Sequence, residues 1–195
     1  MVCLQESKLD GNTPCPREYN SYRTPYDQRI GSHGGSLLYV RRDIPQISFN
    51  LRTPLQAVAV QIDIGRKYTI CSLYLPPNDN IGYGDILEVI HQLPQPFLLL
   101  GDFNGRHPLW GDVLANTRGN IISALVENED VGLLNTGEPT HFHIQTGTLS
   151  CIDLSIVSSN CLLDFDWRTL DDWHTSDHAP IIISSNNNPP LQRSP

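Results

Sequence analysis

The chain has 195 residues, 39% of them hydrophobic and 17% charged, with a formal net charge of −8. That balance describes one globular domain with a sizeable core and excludes a disordered or fibrous chain. The longest apolar runs, such as Phe97–Leu100 and Ile181–Ile183, are too short to cross a bilayer, so no membrane role is expected.

The acidic excess opposes nonspecific binding to phosphate backbones, which Lys and Arg carry, but it is compatible with a local cationic footprint. No basic start with an apolar run and a small-residue cleavage site marks a secretory signal. Five cysteines, an odd number without CxxC spacing, argue against a disulfide framework and against a zinc cluster. A reducing intracellular compartment is expected.

Val2–Gln5 reads as a short apolar strand ending at Glu6. Residues 10–30, rich in Pro, Asn and Tyr and without periodicity, read as an irregular surface segment. Gly34 and Gly35 form an entry turn to a strand over Ser36–Arg41. From Ala57 to Ile64 the alternation is regular, with Val58, Val60, Ile62 and Ile64 opposite Ala57, Ala59, Gln61 and Asp63. After the turn at Gly65–Lys67 a second strand runs over Tyr68–Leu75, completing a hairpin that Pro76 and Pro77 stop.

Asp85–Leu93 places Ile86, Leu87 and Ile90 at helical spacing, and Pro94 and Pro96 end the helix before a strand that starts at Phe97. Asn116 caps a second helix over Thr117–Glu129 with Ile121, Ile122, Leu125 and Val126 as its apolar stripe, and Gly132 reads as its terminator. His141 and His143 flank Phe142 in a short strand and share a face; with no Cys ligands nearby they read as surface or packing histidines. Ile152, Leu154 and Ile156 alternate in a further strand, and Ala179–Ile183 is the last. The domain is expected to span 1–184, with the polar, Pro-rich stretch 185–195 as a disordered tail or linker. Hairpins mixed with helices point to α/β or α+β layers.

The stretch PFLLLGDFNGRHPLWGD over 96–112 turns from a buried strand into acids and amides, as a strand does when it delivers polar groups to a cleft. An ordinary polar turn uses the same residue types. Asp102 and Asn104, two apart in extended chain, would point to one side about 7 Å apart and could touch one ligand. Asp153 is charged among apolar neighbours and needs a cation or a hydrogen-bond donor to satisfy it. His178 is the economical partner, because an Asp on one ring nitrogen leaves the other free to act on a substrate oxygen. Glu6 and Asp177 then remain to hold a hard cation such as Mg²⁺. Ser176, Asp177 and His178 hold the residue types of a serine-hydrolase triad, but sequence neighbours cannot face one another as a triad must, and no GxSxG elbow exists.

Five blocks, CLQES, SLYLPPN, LLLGDFNGRHPLWG, SCIDLSIVS and SDHAPIII, occur in the order found in the endonuclease/exonuclease/phosphatase superfamily. More narrowly, GDFNGRHPLWGD with PTHF and IDLSIVS resembles the AP-endonuclease-like endonuclease domain of non-LTR retrotransposons of the jockey and R1 type. The resemblance runs from Val2 to about Ser184. It implies a four-layer α/β sandwich, two facing mixed sheets flanked by helices, and Mg²⁺- or Mn²⁺-dependent hydrolysis of a phosphodiester. Matched position by position, Glu6 and Asp177 would ligate the metal and Asp102 would orient or deprotonate the attacking water. Asn104 and Tyr74 would bind the scissile phosphate, and His178 would contact a phosphate oxygen with Asp153 holding its ring.

DNA is then the implied substrate, a reverse transcriptase domain the expected downstream neighbour in a polyprotein, and the nucleus the place of action on chromosomal DNA. Members of the family open with a strand whose Asn binds metal or phosphate, followed by a helix, whereas this sequence starts at the next strand. The chain is therefore expected to be N-terminally incomplete, lacking the first strand and helix. Two rival readings follow: a noncatalytic remnant of the domain, and a superfamily phosphatase acting on a phosphoester other than DNA.

Overall fold

A computed structural model describes residues 1–7, 14–24 and 34–186 of the chain. The strands are β1 (Val2–Leu4), β2 (Tyr19–Arg23), β3 (Leu37–Arg41), β4 (Gln46–Phe49), β5 (Gln56–Asp63), β6 (Lys67–Tyr74), β7 (Phe97–Asp102), β8 (Val131–Leu133), β9 (His141–His143), β10 (Thr148–Ser150), β11 (Asp153–Ser158), β12 (Phe165–Thr169) and β13 (Ile181–Ser185). The helices are α1 (Tyr83–Gln92) and α2 (Thr117–Asn128).

The alternation read in β5 and β6 becomes the centre of a six-stranded sheet, ordered β4-β5-β6-β7-β11-β8. One face carries Ala59, Cys71, Leu73, Phe97, Leu99, Leu154 and Ile156 and is packed under α1 and α2. The other face carries Val60, Ile62, Tyr68, Ile70, Leu98 and Val157 and meets side chains of β1, β2, β3, β12 and β13. Those strands form two further antiparallel groups, β1-β3-β2 and β12-β13. The result is the expected α/β sandwich, with helices, a central sheet and a second set of strands as successive layers.

α2 begins where the sequence indicated: the Asn116 side chain accepts from Gly119 N at 2.7 Å. It ends at Asn128 with Glu129 as C-cap, so Gly132 is no terminator; it lies inside β8, against Leu162. Gly101 answers to a closer constraint. A Cβ there would stand 1.8 Å from Leu73 O on the neighbouring strand, so β6 and β7 can pair at this point only with glycine present.

The segment read as irregular contains β2, which pairs with β3 along its whole length. Every β2 residue is half-buried, so it lacks the in-out alternation that marks a strand in sequence; residues 10–13 and 25–30 of the segment lie outside the described residues. β4, β8, β10 and β12 are also strands not anticipated from the sequence. The last strand runs to Ser185, one residue past the expected domain limit, and Asn186 N still donates to Asp164 O. The tail over 187–195 lies outside the described residues. All five cysteines are free, and no helix among the described residues is long and apolar enough to cross a membrane.

Candidate active site

Three adjacent strands of the central sheet change character along their length. On the face between the layers β6 reads Tyr68, Ile70, Ser72, Tyr74; β7 reads Leu98, Leu100, Asp102; β11 reads Val157, Ser155, Asp153. Register aligns the polar ends, with Tyr74 opposite Asp102 across the parallel β6-β7 pair and Asp102 opposite Asp153 across the antiparallel β7-β11 pair. The greasy run into GDFN thus ends in a row of Tyr74, Asp102 and Asp153, all buried, at one end of the space between the layers.

Asp102 is held by its own loop. Asn104 N and Nδ2 donate to its two carboxylate oxygens at 2.9 and 3.0 Å, and Nδ2 also reaches Leu75 O at 3.2 Å. The chain is not extended here: Asn104 has φ +50°, so the two side chains turn onto each other instead of reaching side by side to a common ligand. Asn116 Oδ1 takes Arg106 N and Gly119 N, while its Nδ2 donates to Asn104 O. Trp110, buried in a 3-10 turn over Pro108–Trp110, donates to Gly105 O at 3.1 Å and anchors the rest of the GRHPLWG loop.

His178 Nδ1 lies 2.8 Å from Asp153 Oδ2, the partnership the sequence pointed to. Thr140, fully buried, fixes both halves of this pair: its Oγ1 accepts from Ile152 N and Asp153 N, and its carbonyl accepts from Ala179 N. Glu6, exposed, accepts a hydrogen bond from the Tyr74 hydroxyl. Asp177, also exposed, places Oδ2 4.0 Å from His141 Nε2. Glu6 does not join Asp177 in a common ligand cluster. Among the described residues, the group whose ligand atoms lie within 4.8 Å of one another is His141, Asp177 and His178.

The row is electrostatically tense. Burial, then the charge of Asp153, pushes the Asp102 carboxyl up to about 7, against the pull of His178 and the Asn104 N–H. Burial acts to lower His178, but the Asp153 hydrogen bond and the charges of Asp153, Asp102 and Asp177 outweigh it and hold the imidazolium to about 9. Burial and the Glu6 carboxylate raise the Tyr74 phenol, which stays a neutral donor. His141 is lowered by burial and by the neighbouring His178.

Two residues of the site's support escaped the sequence reading. Arg118, buried at the start of α2, donates to the carbonyls of Leu75, Phe103, Pro76 and Asp79, so one guanidinium ties the ends of β6 and β7 together. Thr140 sits in the PTHF block but carries no mark of its role. Gly34 and Gly35 do lead into β3.

The model of the endonuclease-reverse transcriptase family matches residues 68–182. The chain belongs to that family. Curated relatives include the probable RNA-directed DNA polymerase from transposon BS of Drosophila melanogaster, 30% identical over 85% of this chain and 18% of the relative. The RNA-directed DNA polymerase from mobile element jockey of Drosophila funebris is 28% identical over 84% of this chain and 18% of its own length. The chain thus spans under a fifth of these relatives. Among solved structures, the endonuclease domain of TRAS1, a telomere-specific non-LTR retrotransposon, superposes with a TM-score of 0.73 at 22% identity over 86% of this chain and 78% of the other. The catalytic domain of APE2 from Xenopus laevis gives 0.71 at 16% identity, covering 94% and 82%. The fold of this family member is therefore the AP-endonuclease-like sandwich.

Proposed function

We propose that this domain hydrolyses phosphodiester bonds in DNA, as the Mg²⁺- or Mn²⁺-dependent nicking endonuclease of a non-LTR retroelement whose reverse transcriptase follows in the same polyprotein. It would act in the nucleus on chromosomal DNA. The observation that carries the reading is the buried row of Tyr74, Asp102 and Asp153 on three adjacent strands, closed by His178 on Asp153.

Displacement at phosphorus needs an oriented, deprotonated water and donors for the nonbridging oxygens. Asp102 supports the first role, because a carboxyl raised to about 7 is a base poised near operating pH. Asn104 holds that carboxylate in place and reaches the scissile phosphate by exchanging its bond to Leu75 O for one to the substrate. His178, oriented through Nδ1 by Asp153, offers Nε2–H to a phosphate oxygen and carries positive charge at neutral pH. The Tyr74 hydroxyl supplies a further donor once it turns from Glu6. Glu6, on the Tyr74 hydroxyl, and Asp177, beside His141, are exposed carboxylates with the oxygen chemistry of hard-cation ligands, and a shared Mg²⁺ would have to draw them together from the separate positions they take here. Bound there, Mg²⁺ would neutralise charge on the phosphate.

Supercoiled plasmid incubated with the protein and Mg²⁺ is expected to yield nicked circles, with none in EDTA and none from His178→Ala. Hydrolysis of inositol phosphates or polyadenylate without nicking would move the substrate to another phosphoester. No hydrolysis of any of the three would make this a noncatalytic member of its family.

A further inference from the structure

His141, read from sequence as a surface or packing residue, stands directly across from His178. Phe142 N donates to Asp177 O at 2.8 Å and Ala179 N to Thr140 O at 2.7 Å, which makes His141 and His178 a non-hydrogen-bonded antiparallel pair. Such pairs bring side chains closest together, and the two imidazole centroids are 4.6 Å apart. With Asp177 they form a group of three ligand atoms all within 4.8 Å of one another. Each ring is already oriented through Nδ1, His178 by Asp153 Oδ2 at 2.8 Å and His141 by Ser150 Oγ at 3.2 Å, which leaves Nε2 of each as the nitrogen for a cation. Ser150 is the cross-strand neighbour of His141 on β10. Ligating histidines are typically held in this way, with the far nitrogen left for the metal.

We propose that His141, His178 and Asp177 form a binding site for a borderline divalent transition cation, Zn²⁺ in the first instance, and that its occupation inhibits hydrolysis. The inhibitory half rests on the function proposed above. Two imidazole nitrogens and one carboxylate oxygen favour Zn²⁺ over Mg²⁺, which takes oxygen ligands in near-octahedral geometry. Ligand atoms around tetrahedral zinc lie about 3.3 Å apart at bond lengths of about 2.0–2.1 Å. The cluster must therefore contract by roughly 1.5 Å at its widest, a movement to be shared between the exposed Asp177 side chain and small rotations of the two half-buried rings. On binding, the Nε2 proton of His178 leaves to solvent and this nitrogen faces the cation instead of a phosphate. Asp177 is withdrawn at the same time from any role toward Mg²⁺.

Titration of the full chain with Co²⁺ tests the site without turnover. Visible d–d absorption saturating at one cation per chain and displaced by Zn²⁺ is expected, with affinity weakened at least about tenfold in His141→Gln and in Asp177→Asn. In Mg²⁺ buffer, micromolar Zn²⁺ is expected to suppress plasmid nicking by the wild type and to spare His141→Gln, which nicks at the wild-type rate in Mg²⁺ alone. Thermal melts without metal report whether each variant folds; should His141→Gln fail, the exposed Asp177→Asn carries the binding comparison. Unchanged Co²⁺ affinity in the variants, or equal inhibition of wild type and His141→Gln, overturns the proposal. If nothing nicks even in Mg²⁺, the function proposed above fails while the Co²⁺ titration still decides the site.

Discussion

Tyr74, Asp102 and Asp153 are 1, 5 and 8% exposed and sit on hydrogen-bonded neighbours of one sheet. Glu6 and Asp177, at the rim of the same site, are exposed and lie on chain just past β1 and just before β13. Glu6 itself takes φ +49°, and His174 and Thr175, ahead of Asp177, take +51° and +65°. The inner groups thus owe their positions to strand register, which cannot shift without moving a whole sheet. The rim groups owe theirs to loop conformation and can adjust. Rigid burial has a cost, visible in the raised Asp102 carboxyl; the exposed rim avoids it.

The sharpest way to break this comparison is to remove the charge from the inner row. Asp102→Asn keeps shape and burial but deletes the base, so nicking is expected to fall by about 10²–10⁴-fold. Stability should change far less: at pH 8 the loss of a buried charge facing Asp153 offsets the loss of one Asn104 hydrogen bond, which the new amide NH2 cannot accept, so the melting temperature should stay near that of the wild type. Near-normal nicking with a lowered melting temperature would show that Asp102 is structural and that the row is ordinary core.

Arg118 tests whether the inner row depends on a scaffold the rim does without. Arg118→Ala removes four charge-assisted hydrogen bonds and leaves Phe103 O without its donor, while the carbonyls of Leu75, Pro76 and Asp79 keep Asn104 Nδ2, Asp79 N and Ile81 N; it is expected to destabilise the fold by about 3 kcal/mol in denaturant unfolding. Truncation of Glu6 to Ala should cost less, about 1 kcal/mol, because it removes only the acceptor of the Tyr74 hydroxyl. Similar losses in the two variants would erase the distinction.

Asp153→Ala lies between. Its carboxylate orients His178, so activity should drop by about 10–100-fold, with a smaller proportional change in stability because Thr140 still fixes the backbone at both ends of the pair. Equal activity in variant and wild type would disconnect the dyad from catalysis.

How far the sequence foretold this follows the same division. The alternation of Val58, Val60 and Ile62, the cap at Asn116 and the lone charge of Asp153 among apolar neighbours are local signals, and each appears in the structure as a strand, a helix start and a paired carboxylate. What escaped depends on partners distant in the chain. β2 is half-buried on an edge and shows no period. Arg118 serves carbonyls up to 43 residues away. His141 faces His178 only because β9 pairs with the chain before β13, and no spacing between residues 141 and 178 announces that. The turn at Asn104 was misread for a related reason: an extended chain was assumed where a positive φ folds the side chain back onto Asp102.

The gentlest test is pH, read in melting temperature with chelator present. His178 has its proton affinity raised from 6.5 to about 9, so the protonated form is favoured by folding; the stabilisation is complete below about pH 6.5 and is lost as pH climbs to about 9. Asp102, raised from 3.8 to about 7, is a carboxyl moved in the unusual direction, so its burial costs stability progressively across that lower window and adds no slope above it. His178→Gln should therefore flatten the wild-type decline toward pH 9, while the decline due to Asp102 persists and extends above pH 7, because the His178 charge that pulls this carboxyl down is gone. The general repulsion of a chain with net charge −8 acts on both proteins and drops out of the difference. Parallel curves for wild type and His178→Gln above pH 7 would mean that the imidazolium is not held by the buried acids, and that the inner row is no more constrained electrostatically than the rim.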